Sequence, residues 1–187
     1  MSSATALEIP GYLAGTWDID PAHTHVGFVV RHMVVTKVRG RFDDVRGEIV
    51  TAENPLDSTV DIAVDLQSVS TNNKQRDDHL RSPDFFEVET HPEMTYRATG
   101  ARQVGEDFVL DGELTLKGVT KTVPLTFELN GFMSDPYGGT RTGFSGTAQI
   151  NRKDFDVNFD GIQNGVTVVA DKIDIHIEVE AVLRQDT

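Results

Sequence analysis

No cysteine occurs among the 187 residues. That excludes a disulfide scaffold, a thiolate zinc site, an iron–sulfur cluster and a cysteine nucleophile. Positive charge is scarce: 17 Lys+Arg stand against 30 Asp+Glu, a formal net charge of -13. Binding to phosphate backbones or anionic membranes needs clustered Lys/Arg, so the overall balance argues against both, and no nucleic-acid partner is expected. Long apolar runs are missing. No window approaches the ~18–20 residues of a membrane-spanning helix, so no integral membrane segment is expected. The amino terminus, Met1 to Gly11, has neither a basic n-region nor an apolar h-region. Read as a natural start it carries no signal peptide, and the expected location is cytoplasmic; a leader replaced by a cloning Met is the alternative.

Catalytic signatures are missing too. There is no H-E-x-x-H, no P-loop, no dinucleotide-binding glycine fingerprint and no G-x-S-x-G elbow. Gly143-Phe144-Ser145-Gly146 has the wrong spacing for the elbow and reads as a glycine-relieved strand. No nucleophile–base pair stands out, and the expectation is a protein that is not an enzyme.

What is present is alternation. Hydrophobic residues make up 38%, with 16 glycines and 10 phenylalanines, enough for a core with many turns. Period-2 patterning runs from residue 17 to residue 182. Val26, Phe28, Val30 and Val34 share one face of a strand, and Val60, Ile62, Val64 and Leu66 share one face of another. Similar faces carry Phe108, Leu110, Leu114 and Leu116; Val123, Leu125, Phe127 and Leu129; Phe144, Gly146, Ala148 and Ile150; and Ile173, Ile175, Ile177 and Val179. One wet and one dry face per strand is the mark of antiparallel sheet. Ser70 to Arg81 breaks the rhythm with Ser/Thr/Asn caps and helix-compatible residues, and Ser82-Pro83-Asp84-Phe85-Phe86 reads as a second short turn. Eight or nine strands and one inserted helix predict an all-β, eight-stranded antiparallel barrel, because closure removes exposed sheet edges. Residues 1–14 read as a flexible N-terminal segment and 15–183 as one barrel domain.

Such a barrel is just wide enough to be filled by side chains or to hold one slender ligand. Gly112, Gly131, Gly146 and Ala148 are small inward positions. They either leave room for a ligand or fit the taper of the barrel. Leu80, Phe85 and Phe86 are suited to fixing the helical insertion as a lid over one opening. Of the six histidines, His23 and His25 form H-x-H at a strand start, where hydrogen bonding is the default over metal binding. His176 belongs to an acidic outer face, and His91 to a turn. His32 shares the dry face of Phe28 and Val30, so its ring must find an internal partner or a ligand's polar end.

At this point the sequence resembles a known family. Trp17-Asp18-Ile19-Asp20-Pro21-Ala22-His23-Thr24 is similar to the opening motif of YceI-like proteins. Phe28 to Met33 with Val38-Arg39-Gly40-Arg41-Phe42, Ser68-Val69-Ser70-Thr71, and Arg76 to Phe86 resemble successive family segments. So do Leu114-Thr115-Leu116-Lys117-Gly118-Val119-Thr120-Lys121 and Ile150-Asn151-Arg152-Lys153-Asp154-Phe155. Thr24, Val69 and Leu116 stand where Ser, Ile and Ile are usual. The resemblance implies a lipocalin-like extended barrel with a helical insertion, often dimeric, that binds a long-chain isoprenoid or similar amphiphile. Many members are exported to the periplasm.

Together these readings predict noncatalytic binding, storage or transport of an isoprenoid or fatty-chain lipid, quinone-like species included. No other cofactor and no metal is expected, and a homodimer is. An enzyme acting on such a lipid and a stress-linked structural protein are the alternatives. By strand parity and the lid argument, the lining residues are Phe28, Val30, His32, Val60, Ile62, Val64, Phe85, Phe86, Leu114, Leu116, Phe127 and Phe144. Arg76 and Arg152 are further polar candidates for a mouth.

Overall fold

The computed structural model describes residues 7–185. In chain order the strands are β1 (Gly15–Ile19), β2 (His25–His32), β3 (Thr36–Phe42), β4 (Val45–Thr51), β5 (Thr59–Asp65) and β6 (Val69–Ser70). Then come helix α1 (Lys74–Arg81), β7 (Glu93–Ala98), β8 (Ala101–Val104), β9 (Asp107–Leu116), β10 (Val119–Ser134), β11 (Thr140–Asn151) and β12 (Val169–Leu183).

Eight strands close on themselves in the order β1-β4-β5-β7-β9-β10-β11-β12 and back to β1. All the pairings are antiparallel. The closing ladder is short, Trp17 opposite Leu183 and Ile19 opposite Ala181. Strand β12 is long enough to serve two neighbours on one edge: β1 takes residues 181–183, and β2 takes its stretch from Val169 to Glu178. From β2 the sheet continues through β3 to β6, extending one end of the barrel beyond the closed ring. The expected eight-stranded antiparallel barrel is thus present, with the β2–β3–β6 extension as its elongated part.

The closing strand is held by burial. Trp17 is fully buried, and its indole N–H donates to Thr51 Oγ1 at 2.8 Å. It packs with Ile19, Ile49, Val179 and Ala181, so β1, β4 and β12 share one apolar cluster. Residues 1–6 of the expected flexible segment lie outside the described residues. Within residues 7–14, the Tyr12 hydroxyl donates to Ala52 O at 2.6 Å and its ring sits edge-on to Phe132 at 5.5 Å. This stretch covers one end of the barrel.

Strand β2 ends at His32, which corrects one parity expectation. Val34, placed by alternation on the dry face, sits in the β2–β3 turn and is 72% exposed. Two of the small inward positions are accounted for by packing rather than by free space. At Gly112 a Cβ would lie 2.3 Å from the Tyr96 ring, which crosses over that backbone. The Tyr96 hydroxyl accepts from Gly112 N–H and donates to Val123 O at 2.8 Å. Burial pushes the phenol up to about 12, so it stays a neutral donor. At Gly146 a Cβ would meet Ile177 at 3.0 Å.

Gly112→Ala is expected to force Tyr96 off its two strands. Overpacking of this kind costs about 1–3 kcal/mol. Chemical denaturation should show the midpoint falling, and an unchanged midpoint would refute the close approach.

Candidate functional site

The interior of the barrel is divided into two adjoining cavities. One, of about 160 Å³, lies towards the Trp17 end and is lined by Val45, Ile49, Leu110, Val123, Leu125, Phe132, Ala148 and Ile177, among others. Ile9, Tyr12, Pro55 and Ser58 border it at the covered end. The other, of about 250 Å³, lies under α1 and is lined by Phe42, Leu80, Ile150, Val157, Phe159, Val169 and Ile173 together with several polar groups. Val26, Met94 and Ile175 border both, so the cavities meet across these three side chains. An unbranched Met at the junction can change rotamer at small cost, unlike a β-branched residue.

The twelve residues singled out by sequence all border this interior. Val60, Ile62, Val64, Leu114, Phe127 and Phe144 line the first cavity. Phe28, Val30, His32, Phe85, Phe86 and Leu116 line the second. Parity alone could not divide them between two chambers, because it gives the facing of a side chain and not its height along the barrel. It also missed Met94 and Tyr96, which fall in a mixed strand, Glu93–Ala98, without a clean apolar run. Ile9, Tyr12 and Phe159 were missed because they lie outside regular strands.

The lid has an evident local cause. Asn73 Oδ1 caps α1 by accepting from Arg76 N–H at 2.9 Å. Asp77, buried on the inner side, accepts from Thr71 N–H at 2.8 Å and from the Thr71 hydroxyl at 2.6 Å. Arg81 donates to Gln67 O and Val69 O, both at 3.0 Å, tying the helix to β6. After the helix, the chain turns back through Phe86 N–H on Leu80 O, and Leu80, Phe85 and Phe86 pack downwards. Phe86 meets Phe42 at 5.9 Å, and Phe85 meets Phe159 at 5.2 Å. The insertion is therefore docked by aromatic contacts, as its sequence suggested.

Among the described residues, the polar side chains bordering the first cavity are hydroxyl groups such as Thr51, Ser58 and Thr95, whereas the arginine and histidine side chains that border the interior all border the second cavity. His32, half-buried, pairs with Val169 and Thr36 in the sheet and borders that space. Thr71, Arg76, His79 and Arg152 border it as well. His79 Nε2 lies 2.8 Å from Asp84 Oδ2, and its ring is edge-on to Phe85 and Phe159. Arg76 is exposed and spends its Nε and one terminal nitrogen on Thr71. Arg152 differs from the expectation of a mouth residue. It is 3% exposed and donates to Val157 O at 2.7 Å, Ala170 O at 2.9 Å and Val169 O at 3.1 Å, with Asp160 and Asp171 as counter-charges. Its donors are committed to Val157 and to the first residues of β12, so it is a strut of the fold.

The H-x-H pair is also divided. His23 closes a short turn capped by Asp20, whereas His25 begins β2. His23 Nδ1 is 2.9 Å from Asp20 Oδ2, with Glu180 at 4.0 Å. Arg141 bridges the same Asp20, Glu180 and Asp135 at 2.6–3.0 Å. Hydrogen bonds from His23 and Arg141 hold the Asp20 carboxyl down at about 2. The cluster is an ion-pair network whose members border neither cavity. Glu180 and Arg141 could not be foreseen as its members, since they lie far along the chain.

The model of the YceI-like domain matches residues 17–181 of this chain. The chain belongs to the YceI-like family. UPF0312 protein plu2095 of Photorhabdus laumondii is 38% identical over 162 residues, 85% of this chain and 84% of the relative. A crystal structure of the Campylobacter jejuni YceI protein is 29% identical and superposes with a TM-score of 0.71, covering 83% of this chain and 90% of that one. A polyisoprenoid binding domain from Saccharophagus degradans, implicated in plant cell wall breakdown, shares the fold at a TM-score of 0.72 and 18% identity, over 92% of this chain and all of that one. In this YceI-like barrel, then, the family's lid segment and strand motifs converge on one enclosed, largely apolar interior.

Removing Arg152 tests its structural role. Arg152→Met leaves the carbonyls of Val157, Val169 and Ala170 without their donor, while Asp160 and Asp171 keep Lys153, and each buried polar group left unpaired costs about 1–3 kcal/mol. The expected result is a marked drop in the thermal midpoint. A variant as stable as the parent would return Arg152 to the set of groups free to meet a ligand.

Proposed function

We propose that this protein binds a long-chain isoprenoid or a similar amphiphilic lipid within the barrel and holds it without chemical change, for storage or transport. The observation that carries this reading is the pair of adjoining cavities, lined mostly by aliphatic and aromatic side chains, with the arginine and histidine side chains at one end. A slender chain gains up to ~0.8 kcal/mol for each methylene-sized group it buries, less the cost of its lost freedom. A head group at the His32–Arg76 end would meet the few directional groups available, while the hydrocarbon reached past Met94 into the first cavity. The relative described as a polyisoprenoid binding domain has the same fold and so supports the reading.

An enzyme acting on such a lipid is the second reading. The histidines at the site do not favour it: the His79 ring faces Asp84 on the lid, and among the described residues no serine or threonine hydroxyl hydrogen-bonds a ring nitrogen of His32 or His79, the Ser82 hydroxyl donating instead to the His79 backbone carbonyl. That leaves a binding role as the better supported.

Native mass spectrometry of protein incubated with a polyprenyl alcohol reads the occupancy directly. Ala148 pairs with Ile175 between β11 and β12 and lines the first cavity. Ala148→Phe should fill that space and reduce loading, at a stability cost of about 1–3 kcal/mol. Unchanged loading of the folded variant would refute the cavity as the binding place. His32→Phe keeps the bulk of the ring and removes both nitrogens. It should weaken lipids with a polar head more than bare hydrocarbons, by an amount on the order of 1 kcal/mol. Equal weakening of both ligand classes would make His32 a packing residue.

A further inference from the structure

The turn between β2 and β3 presents Met33, Val34 and Val35 to solvent, at 38%, 72% and 79% exposure. Nothing in the fold calls for these residue types. They are not buried, and the backbone at Met33 and Val34 is left-handed, at φ 50° and 64°, where Gly or Asn is the ordinary choice. The neighbouring 162–166 turn is tied to this one through Met33 N–H on Val168 O at 2.9 Å and adds Ile162 and Val166, exposed by 67% and 43%. Five of the nine exposed large hydrophobics among the described residues thus fall on two adjacent tips, whereas scattered single ones need no explanation.

Charge supplies the second observation. Arg31 lies directly opposite Lys37, and Arg39 opposite Val29, on the outer face of the same hairpin. Like charges directly across a ladder are destabilising. Yet in a chain of net charge -13, no carboxylate lies within ion-pair distance of Arg31, Lys37 or Arg39 among the described residues. The nearby Asp160 and Asp171 are neutralised by Arg152 and Lys153. The overall negative charge does not cancel such a stripe at a surface, since exposed charges beyond about 8–10 Å are screened at physiological salt.

We infer that the β2–β3 hairpin is a membrane-docking element: Met33, Val34 and Val35 enter the interface of a lipid bilayer, and Arg31, Lys37 and Arg39 meet anionic head groups. Its place fits a traffic of lipid, because Arg31, His32 and Val38 of this hairpin border the second cavity. Docking goes beyond the reading of the cavity, and it is measured without any cargo. A second copy of the chain is the poorer occupant. A two-fold contact through these tips sets each basic stripe near its own copy.

Vesicle co-sedimentation tests this, with the intact protein and vesicles of phosphatidylcholine alone or with 30% phosphatidylglycerol, at about that proportion to give a clear surface potential. Expected is binding to the anionic vesicles that weakens as salt rises. Val34→Ser with Val35→Ser should weaken it roughly tenfold or more, and Lys37→Gln with Arg39→Gln, two sites that border neither cavity, by about fivefold per charge. All four sites are on the surface, so circular dichroism and lipid loading should be those of the parent. Three results would overturn the proposal: no sedimentation with anionic vesicles, binding that ignores both variants, or a dimer that the Val34→Ser/Val35→Ser variant converts to monomer.

Discussion

Closure of the sheet between β1 and β12 is the constraint on which the rest of the molecule depends. A sheet with two free edges must protect rows of unpaired N–H and C=O groups, whereas a closed ring pairs them internally. The ladder that achieves this spans three residue pairs, and it is secured by a fully buried Trp17 whose indole finds Thr51. Once the ring is closed, every strand must send alternate residues inwards, and eight strands of ordinary tilt enclose a lumen of fixed width. The enclosed space then follows from which inward residues are large. Where Tyr96 crosses Gly112 and Ile177 approaches Gly146 the lumen is filled, and where Ala148 stands it is not.

The two ends of that lumen are treated differently. At one, Tyr12 meets Phe132 edge-on, and the chamber beneath is bordered by apolar and hydroxyl side chains but by no arginine or histidine. At the other, α1 lies across the opening, held down by phenylalanines and held in place by a buried Asp77–Thr71 pair. A short helix alone is marginal in water, so its persistence rests on these tertiary contacts. His32 and Thr71 border the chamber it covers, and Arg76 of the helix itself donates to Thr71. In the proposed binding role, this asymmetry would favour one orientation of an amphiphile. A chain reversed in the barrel would bury its head among aliphatic side chains, where an unpaired polar group costs about 1–3 kcal/mol.

The same end bears the outward features. The exposed turn of Met33 to Val35, the 162–166 turn and the Arg31–Lys37–Arg39 stripe surround the chamber that the arginine and histidine side chains border. Folding stability explains none of them, since they bury little and oppose like charges. Their position couples the surface of the barrel to its interior through one hairpin, whose inner face lines the cavity and whose outer face carries the cations.

How much of this was legible beforehand follows from what each signal measures. Period-2 alternation reports which side of a strand is dry, and Phe28, Val60, Leu114 and Phe144 all point inwards as their parity required. The capped, polar segment Lys74–Arg81 could only be a helix, and Phe85-Phe86 had to find an apolar surface. Parity fails where a strand stops without a signal: Met33-Val34-Val35 has strand-forming side chains and no Gly or Asn, so the turn there was invisible and Val34 was placed inside. Sequence also has no access to heights along a barrel or to partners distant in the chain. Only the folded register divides the lining into two chambers, sets Met94 between them, commits Arg152 to the carbonyls of Val157 and the start of β12 and brings Glu180 and Arg141 to His23. The sequence by itself determined a closed β-barrel with a dry interior, because alternation and edge protection are local demands of the backbone. Tertiary structure alone decided how that interior is partitioned, because volume and polarity there depend on which side chains meet across the ring.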